Sequence, residues 1–161
     1  MRKLWVCDNW SEYIDSSCRK GLRLRFDKEV DTEVHRACLE FAQWLRKEYE
    51  FPMRLPVYFK NTFLVRTPSG EMASAYFFAP YEKTVEPYIS IAVGDYLELM
   101  SKWGKDNALA AILSSMIHEI SHYFQWLKNY DFIWDEDKKE KQAKYYSKEI
   151  LMDYAETRDH P

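Results

Sequence analysis

The segment from Lys105 to Asn129 constrains this chain more than any other. Leu109, Leu113, Met116, Ile120, Phe124 and Leu127 recur at intervals of three or four residues. At about 100° per residue they form one apolar stripe on a long helix, which must be buried against other elements. The same helix carries His118-Glu119-Ile120-Ser121-His122. Positions i and i+4 share a helix face, so both imidazoles can reach one metal ion. Glu119 lies beside them, where its carboxylate can take a proton from an attacking water. The two histidines project roughly opposite the stripe, on a face with Asn107, Ala111, Ser114, Ser115, Gln125 and Asn129. Two readings compete there. One is a solvated face with ordinary surface histidines; the other is a face of small and polar residues that meets a cleft. Satisfied core histidines are a poorer fit, because the pair lies off the stripe.

The rest of the chain supplies what the helix packs on. Leu22, Leu24 and Phe26 alternate with Arg23 and Arg25, which predicts a short strand. Asp31 to Glu50 reads as a helix with Val34, Ala37, Cys38, Phe41, Trp44 and Leu45 on one face. Pro52 and Pro56 end it and open an extended region. Strands are expected at Leu55 to Phe59, running on towards Val65, at Ala73 to Phe78, and at Pro87 to Val93, with a turn at Pro68-Ser69-Gly70. Gly94-Asp95 opens a short helix to about Lys102, and Gly104 breaks the chain before the long helix. Asp131 to Asp137 reads as a loop, and a last helix runs from about Lys138 to Thr157. The order predicts an α+β fold: a three- to four-stranded sheet packed on the histidine-bearing helix, flanked by an early and a late helix.

At 161 residues the chain is expected to form a single domain, 1–161, with the first 20 residues lacking any clear period. Hydrophobic residues at 47% and charged residues at 30% are the balance of a soluble globular protein. Aromatics reach 17%, which fits large side chains filling a small core; a groove lined with Tyr and Trp is the alternative. A net charge of −3 gives no global basic field, so a nucleic-acid partner is not expected. Cys7, Cys18 and Cys38 are odd in number and widely spaced, which argues against a disulfide framework and a cysteine-rich zinc site. The opening MRKLWVCDNW has no continuous apolar run, and no segment is long enough to span a membrane. A cytoplasmic setting is therefore expected, and Asn9-Trp10-Ser11 is a chance glycosylation match.

Two histidines leave a catalytic zinc site one protein ligand short. His35 falls in the early helix and His160 next to Pro161, so neither extends the motif. A carboxylate is the better third ligand. Glu140 shares a face of the last helix with Ala143, Ser147, Ile150 and Tyr154, and an acid on a buried face is costly unless paired or ligated. A first-turn Glu favoured by the helix dipole is the plain alternative. Glu136 and Glu149 are the other candidate ligands.

The histidine motif together with Glu140, Ala143, Lys144, Tyr146, Ser147, Ile150 and Leu151 resembles the minimal gluzincins of the ImmA/IrrE type. Their second motif reads roughly E-x-x-A-N-x-F-A-x-x-L-L. Lys144 stands for its Asn, Tyr146 for its Phe and Ser147 for its Ala, and Ser121 stands where the group often has Gly. The resemblance implies that Glu140 is the third zinc ligand and that the protein is a zinc metallopeptidase acting on a peptide or protein substrate. It further implies that an edge strand, here Ala73 to Phe78, holds the substrate by backbone hydrogen bonds. The whole chain is also similar to short bacterial and prophage proteins, a likeness that implies no activity.

In such a site zinc polarises the scissile carbonyl, and Glu119 passes the water's proton to the leaving amine. Tyr123 and Tyr146 are candidate oxyanion donors. A non-catalytic zinc-binding regulator is a second possibility. A DNA-associated protease is a third, motivated by the basic cluster Arg19, Lys20, Arg23, Arg25 and Lys28, although such clusters are usually solvated surface.

Overall fold

The computed structural model describes residues 20–161. Cys7, Cys18, Arg19, the Asn9-Trp10-Ser11 match and nearly all of the aperiodic opening stretch lie outside those residues.

The chain is α+β. Its first unit is β1 (Lys20–Phe26), α1 (Thr32–Glu48) and β2 (Phe51–Lys60), with the two strands paired in parallel. Alternation on β1 buries Leu22 and Leu24 and leaves Arg23 and Arg25 outside, on a strand at the sheet edge. Cations at an edge also deter pairing with another chain. Gly21 is required by close approach: a Cβ there would stand 2.4 Å from the Met53 carbonyl oxygen. The side chain of Asp31 caps α1 by accepting from the Glu33 N–H at 2.8 Å. The predicted face of α1 is buried in full, with Ala42 added to it.

Pro52 and Pro56 do not merely precede a strand; both lie inside β2. The reason is positional. The next strand, β6 (Tyr88–Ala92), pairs only with Val57 to Lys60, so both prolines fall where β2 has one strand neighbour. On the open side the Tyr123 hydroxyl stands in for a strand. It accepts from the Met53 N–H at 3.1 Å and donates to the Met53 carbonyl at 2.9 Å.

β2 stops at Lys60 rather than reaching Val65. A small hairpin follows, β3 (Val65–Arg66) and β4 (Met72–Ala73), closed by a turn in which the Gly70 N–H donates to Thr67 and Gly70 takes φ +92°. The expected strand from Ala73 to Phe78 is split at Ser74, where the chain leaves the hairpin and enters the main sheet as β5 (Ala75–Phe78). β5 runs antiparallel to β6, so that the described residues form a mixed four-stranded sheet in the order β1-β2-β6-β5 with β5 at an edge.

The helical half begins with α2 (Tyr96–Trp103), which Gly104 ends at φ +85°. The long helix α3 (Lys105–Leu127) packs against β5, β6 and α1. All six residues of its predicted stripe are buried. It ends two residues before Asn129, because Asn129 takes a left-handed conformation, φ +61°. The expected loop from Asp131 to Asp137 is instead a one-turn helix, α4 (Tyr130–Ile133), followed by the start of α5 (Glu136–Ala155). Asp135 caps α5 by accepting from the Lys138 N–H at 2.8 Å, which sets the helix start at Glu136 rather than Lys138. Its other end is Ala155, and the Thr157 hydroxyl donates to the Tyr154 carbonyl beyond it. Among the described residues no helix is long and apolar enough to cross a membrane.

Candidate metal centre

The core fixes α3, and α3 fixes two imidazoles. His118 and His122 sit one turn apart with ring centroids 4.9 Å apart and planes at 84°. Both are half-buried, so the reading as freely solvated histidines does not hold. The last helix brings Glu140 across to them. One carboxylate oxygen lies 3.1 Å from His118 Nε2 and the other 2.8 Å from His122 Nε2. Glu140 gets there because Ala143, Ser147, Ile150 and Tyr154 are the buried face of α5, which packs along α3.

His118, His122 and Glu140 form a group that can hold a metal ion, with ligand atoms all within 4.8 Å of one another. Two imidazole nitrogens and one carboxylate oxygen are a donor set suited to zinc. Tetrahedral ligands at roughly 2.0–2.1 Å from an ion stand about 3.3 Å apart, close to the contacts seen here. A carboxylate facing two imidazole nitrogens also needs a proton or a cation between them, since lone pairs otherwise oppose one another. Burial holds the His118 imidazole below its ordinary pKa, the neighbouring His122 adds to this, and Glu140 opposes it. A neutral imidazole is the form that binds a metal.

The other carboxylates considered as ligands do not join this group. Glu136 is exposed, and its carboxylate pairs with Lys139 Nζ at 2.6 Å. Glu149 lies more than two turns along α5 and is outside the cluster.

Glu119 lines a cleft of about 560 Å³ together with His122 and Glu140. Burial pushes its carboxyl up to about 7, with His122 pulling it down and the charge of Glu140 pushing it up. The opposite wall is the edge strand, through Ala75, Tyr76 and Phe77, and the tip of the β3–β4 hairpin adds Ser69 and Glu71. The hairpin carried no motif, so its place beside the histidines was not readable in advance.

Neither tyrosine considered as an oxyanion donor faces this cleft. Tyr123 is fully buried with its hydroxyl engaged by both backbone groups of Met53. Tyr146 packs partly against the core and is not a lining residue. Of the basic cluster, Arg23 and Arg25 turn their guanidinium groups onto backbone carbonyls of their own strand, Leu22 at 2.9 Å and Leu24 at 3.1 Å. Cys38 is a free, buried thiol that burial pushes well above its ordinary pKa. Gln125, read from sequence only as a member of a polar face, is fully buried and bonds His122 Nδ1 at 2.8 Å. Its spacing, three residues after His122 on the same helix, was the available signal.

No protein-family model, curated protein or solved structure matches the chain.

Proposed function

We propose that this chain is a zinc metallopeptidase that hydrolyses a peptide bond in a peptide or protein bound along β5. The observation that carries the proposal is Glu119: a half-buried carboxyl, pushed up to about 7 by burial, that lines the same cleft as His122 and Glu140. A site that only held a metal for stability would have no use for it. The likeness of the last helix to the second motif of the minimal gluzincins, with Glu140 at its first position, is further support.

When bound, zinc supplies a Lewis acid for the scissile carbonyl and makes water acidic enough to react near neutral pH. His118, His122 and Glu140 are the residues that hold it. Glu119 takes a proton from the attacking water at its carboxylate and gives it to the leaving amine nitrogen. Among the described residues β5 has β6 as its one strand partner, so its outer edge can pair with an extended segment of substrate. That pairing would lay the segment along the cleft wall, opposite Glu119. A cleft of about 560 Å³ accommodates a short stretch of peptide.

The test is Glu119→Gln. The variant should bind one zinc per chain and lose roughly 10²–10⁴-fold in the rate of peptide-library cleavage. Cleavage at the wild-type rate would sink the mechanism. Zinc binding by a wild-type protein that cleaves nothing would leave a metal-binding protein without turnover.

A further inference from the structure

Gln125 is an uncharged polar side chain with no solvent exposure, one residue from Phe124 and Trp126 in the best-packed part of α3. Burying an amide there is costly unless its groups are bonded. Three hydrogen bonds satisfy it. Its Nε2 donates to the Lys139 carbonyl at 2.9 Å and to Gln142 Oε1 at 3.0 Å, and its Oε1 faces His122 Nδ1 at 2.8 Å.

These contacts settle which way the amide points. A backbone carbonyl can only accept, so the nitrogen must lie on the α5 side. The flipped amide would set two oxygens against each other at the Lys139 contact. Oε1 therefore faces His122, and because it too can only accept, His122 must carry its proton on Nδ1. With a cation in the site, that leaves Nε2, the atom directed at Glu140, as the lone pair that binds it. The same amide binds the carbonyl of the residue immediately before Glu140. One side chain thus connects a ligand on α3 to the helix turn that carries the ligand on α5.

We propose that Gln125 is the positioning residue of the metal centre: it fixes the tautomer of His122 and holds the first turns of α5 at the distance Glu140 needs. This inference rests on the reading of His118, His122 and Glu140 as a zinc site. Groups behind a ligating histidine commonly matter 10–100-fold for metal affinity.

The experiment compares wild type, Gln125→Met and Gln125→Glu by chelator competition for zinc and by long-range ¹⁵N–¹H NMR of His122. Met keeps the volume and removes all three hydrogen bonds. Glu keeps an acceptor for Nδ1–H and removes the donor to α5. Expected in wild type is a protonated Nδ1, with zinc on Nε2 once added. Gln125→Met should bind zinc roughly 10–100-fold more weakly and exchange its Nδ1 proton faster. Gln125→Glu should fall between the two and retain the slowly exchanging proton. A folded Gln125→Met protein with wild-type zinc affinity overturns the inference, as does a wild-type His122 that lacks a proton on Nδ1. If Gln125→Met does not fold, the wild-type spectrum and Gln125→Glu decide, and a Glu variant that loses the Nδ1 proton counts against it. A wild-type protein that binds no zinc refutes the zinc site instead, while the His122 spectrum of the metal-free protein still tests for the proton on Nδ1.

Discussion

Helices α3 and α5 meet at one site, yet they are held in opposite ways. Of the 23 residues of α3, 13 are buried, and they pack on the sheet, α1 and α5. Of the 20 residues of α5, 4 are buried, all on one face. A helix of that kind owes its order to the one face it packs on α3 and, through Tyr154, on Phe41 and Trp44 of α1, because isolated helices are marginal in water. The two histidines therefore stand on the more deeply buried of the two helices, and Glu140 on the more exposed one. Such a division fixes the spacing of the imidazoles before any metal arrives and leaves the closing of the site to α5. Gln125 reduces that freedom, since its amide ties the rigid helix to the Lys139 carbonyl on the soft one.

The sharpest way to break this contrast is to cut into each helix. Leu109→Ala removes a stripe residue that is 1% exposed and should destabilise the whole fold by about 2–5 kcal/mol. Met152→Ala, on the outer face of α5 at 53% exposed, should change stability by less than about 0.5 kcal/mol. Urea unfolding of the two variants reads both numbers. Similar losses from the two would mean that the outer face of α5 is covered in the folded protein and that the contrast is wrong.

Metal addition tests the same division from the other side. Zinc bound at His118, His122 and Glu140 would link the two helices directly. At a hundred times its dissociation constant, a ligand stabilises the bound form by about 2.7 kcal/mol. The gain should therefore appear as up to roughly a hundredfold slowing of amide exchange in α5, with little change in α3, and should vanish with a chelator. Uniform slowing in both helices would show that α5 does not open independently.

The same difference decides what was legible in the sequence. The stripe on α3 and the histidine pair were readable because a 3.6-residue period encodes one face and its opposite. Glu140 was readable more weakly: it lies in line with Ala143, Ser147, Ile150 and Tyr154 but is itself exposed at the open end of that face, so the cost of burying an acid is not what marks it. What escaped notice depends on partners far away in the chain. Pro52 and Pro56 look like strand breakers until β6 is seen to stop short of them. Tyr123 looks like a free hydroxyl until Met53 is seen beside it. Gln125 takes its meaning from a backbone carbonyl on α5, and no side-chain pattern announces a carbonyl. The charge of the acidic segment after Asn129 suggests a loop, although Asp135 is a helix cap and Glu136 and Asp137 suit a first helical turn.

The smallest expected effect concerns how the start of α3 is tied down. The carboxylate of Glu33, in the first turn of α1, pairs with Nζ of Lys105, the first residue of α3, and with Arg36 Nε at 2.6 Å. The hydrogen bond from Lys105, followed by that from Arg36, holds the Glu33 carboxyl down to about 2, against an ordinary value of 4.5. Between those two values the unfolded chain has taken up a proton that the folded chain has not, so acid favours unfolding. The contribution of Glu33 is thus complete above 4.5 and lost as the pH falls through about 2. Glu33→Gln cannot show this dependence. The melting temperature of wild type should exceed that of Glu33→Gln by a small, salt-sensitive margin near neutral pH, because the groups are solvent-exposed. That margin should narrow below 4.5 and close near 2. A margin that stays flat over the whole range would show that the link between α1 and α3 contributes nothing, leaving the apolar stripe and the bonds of Tyr123 and Gln125 to hold the helix that carries both histidines.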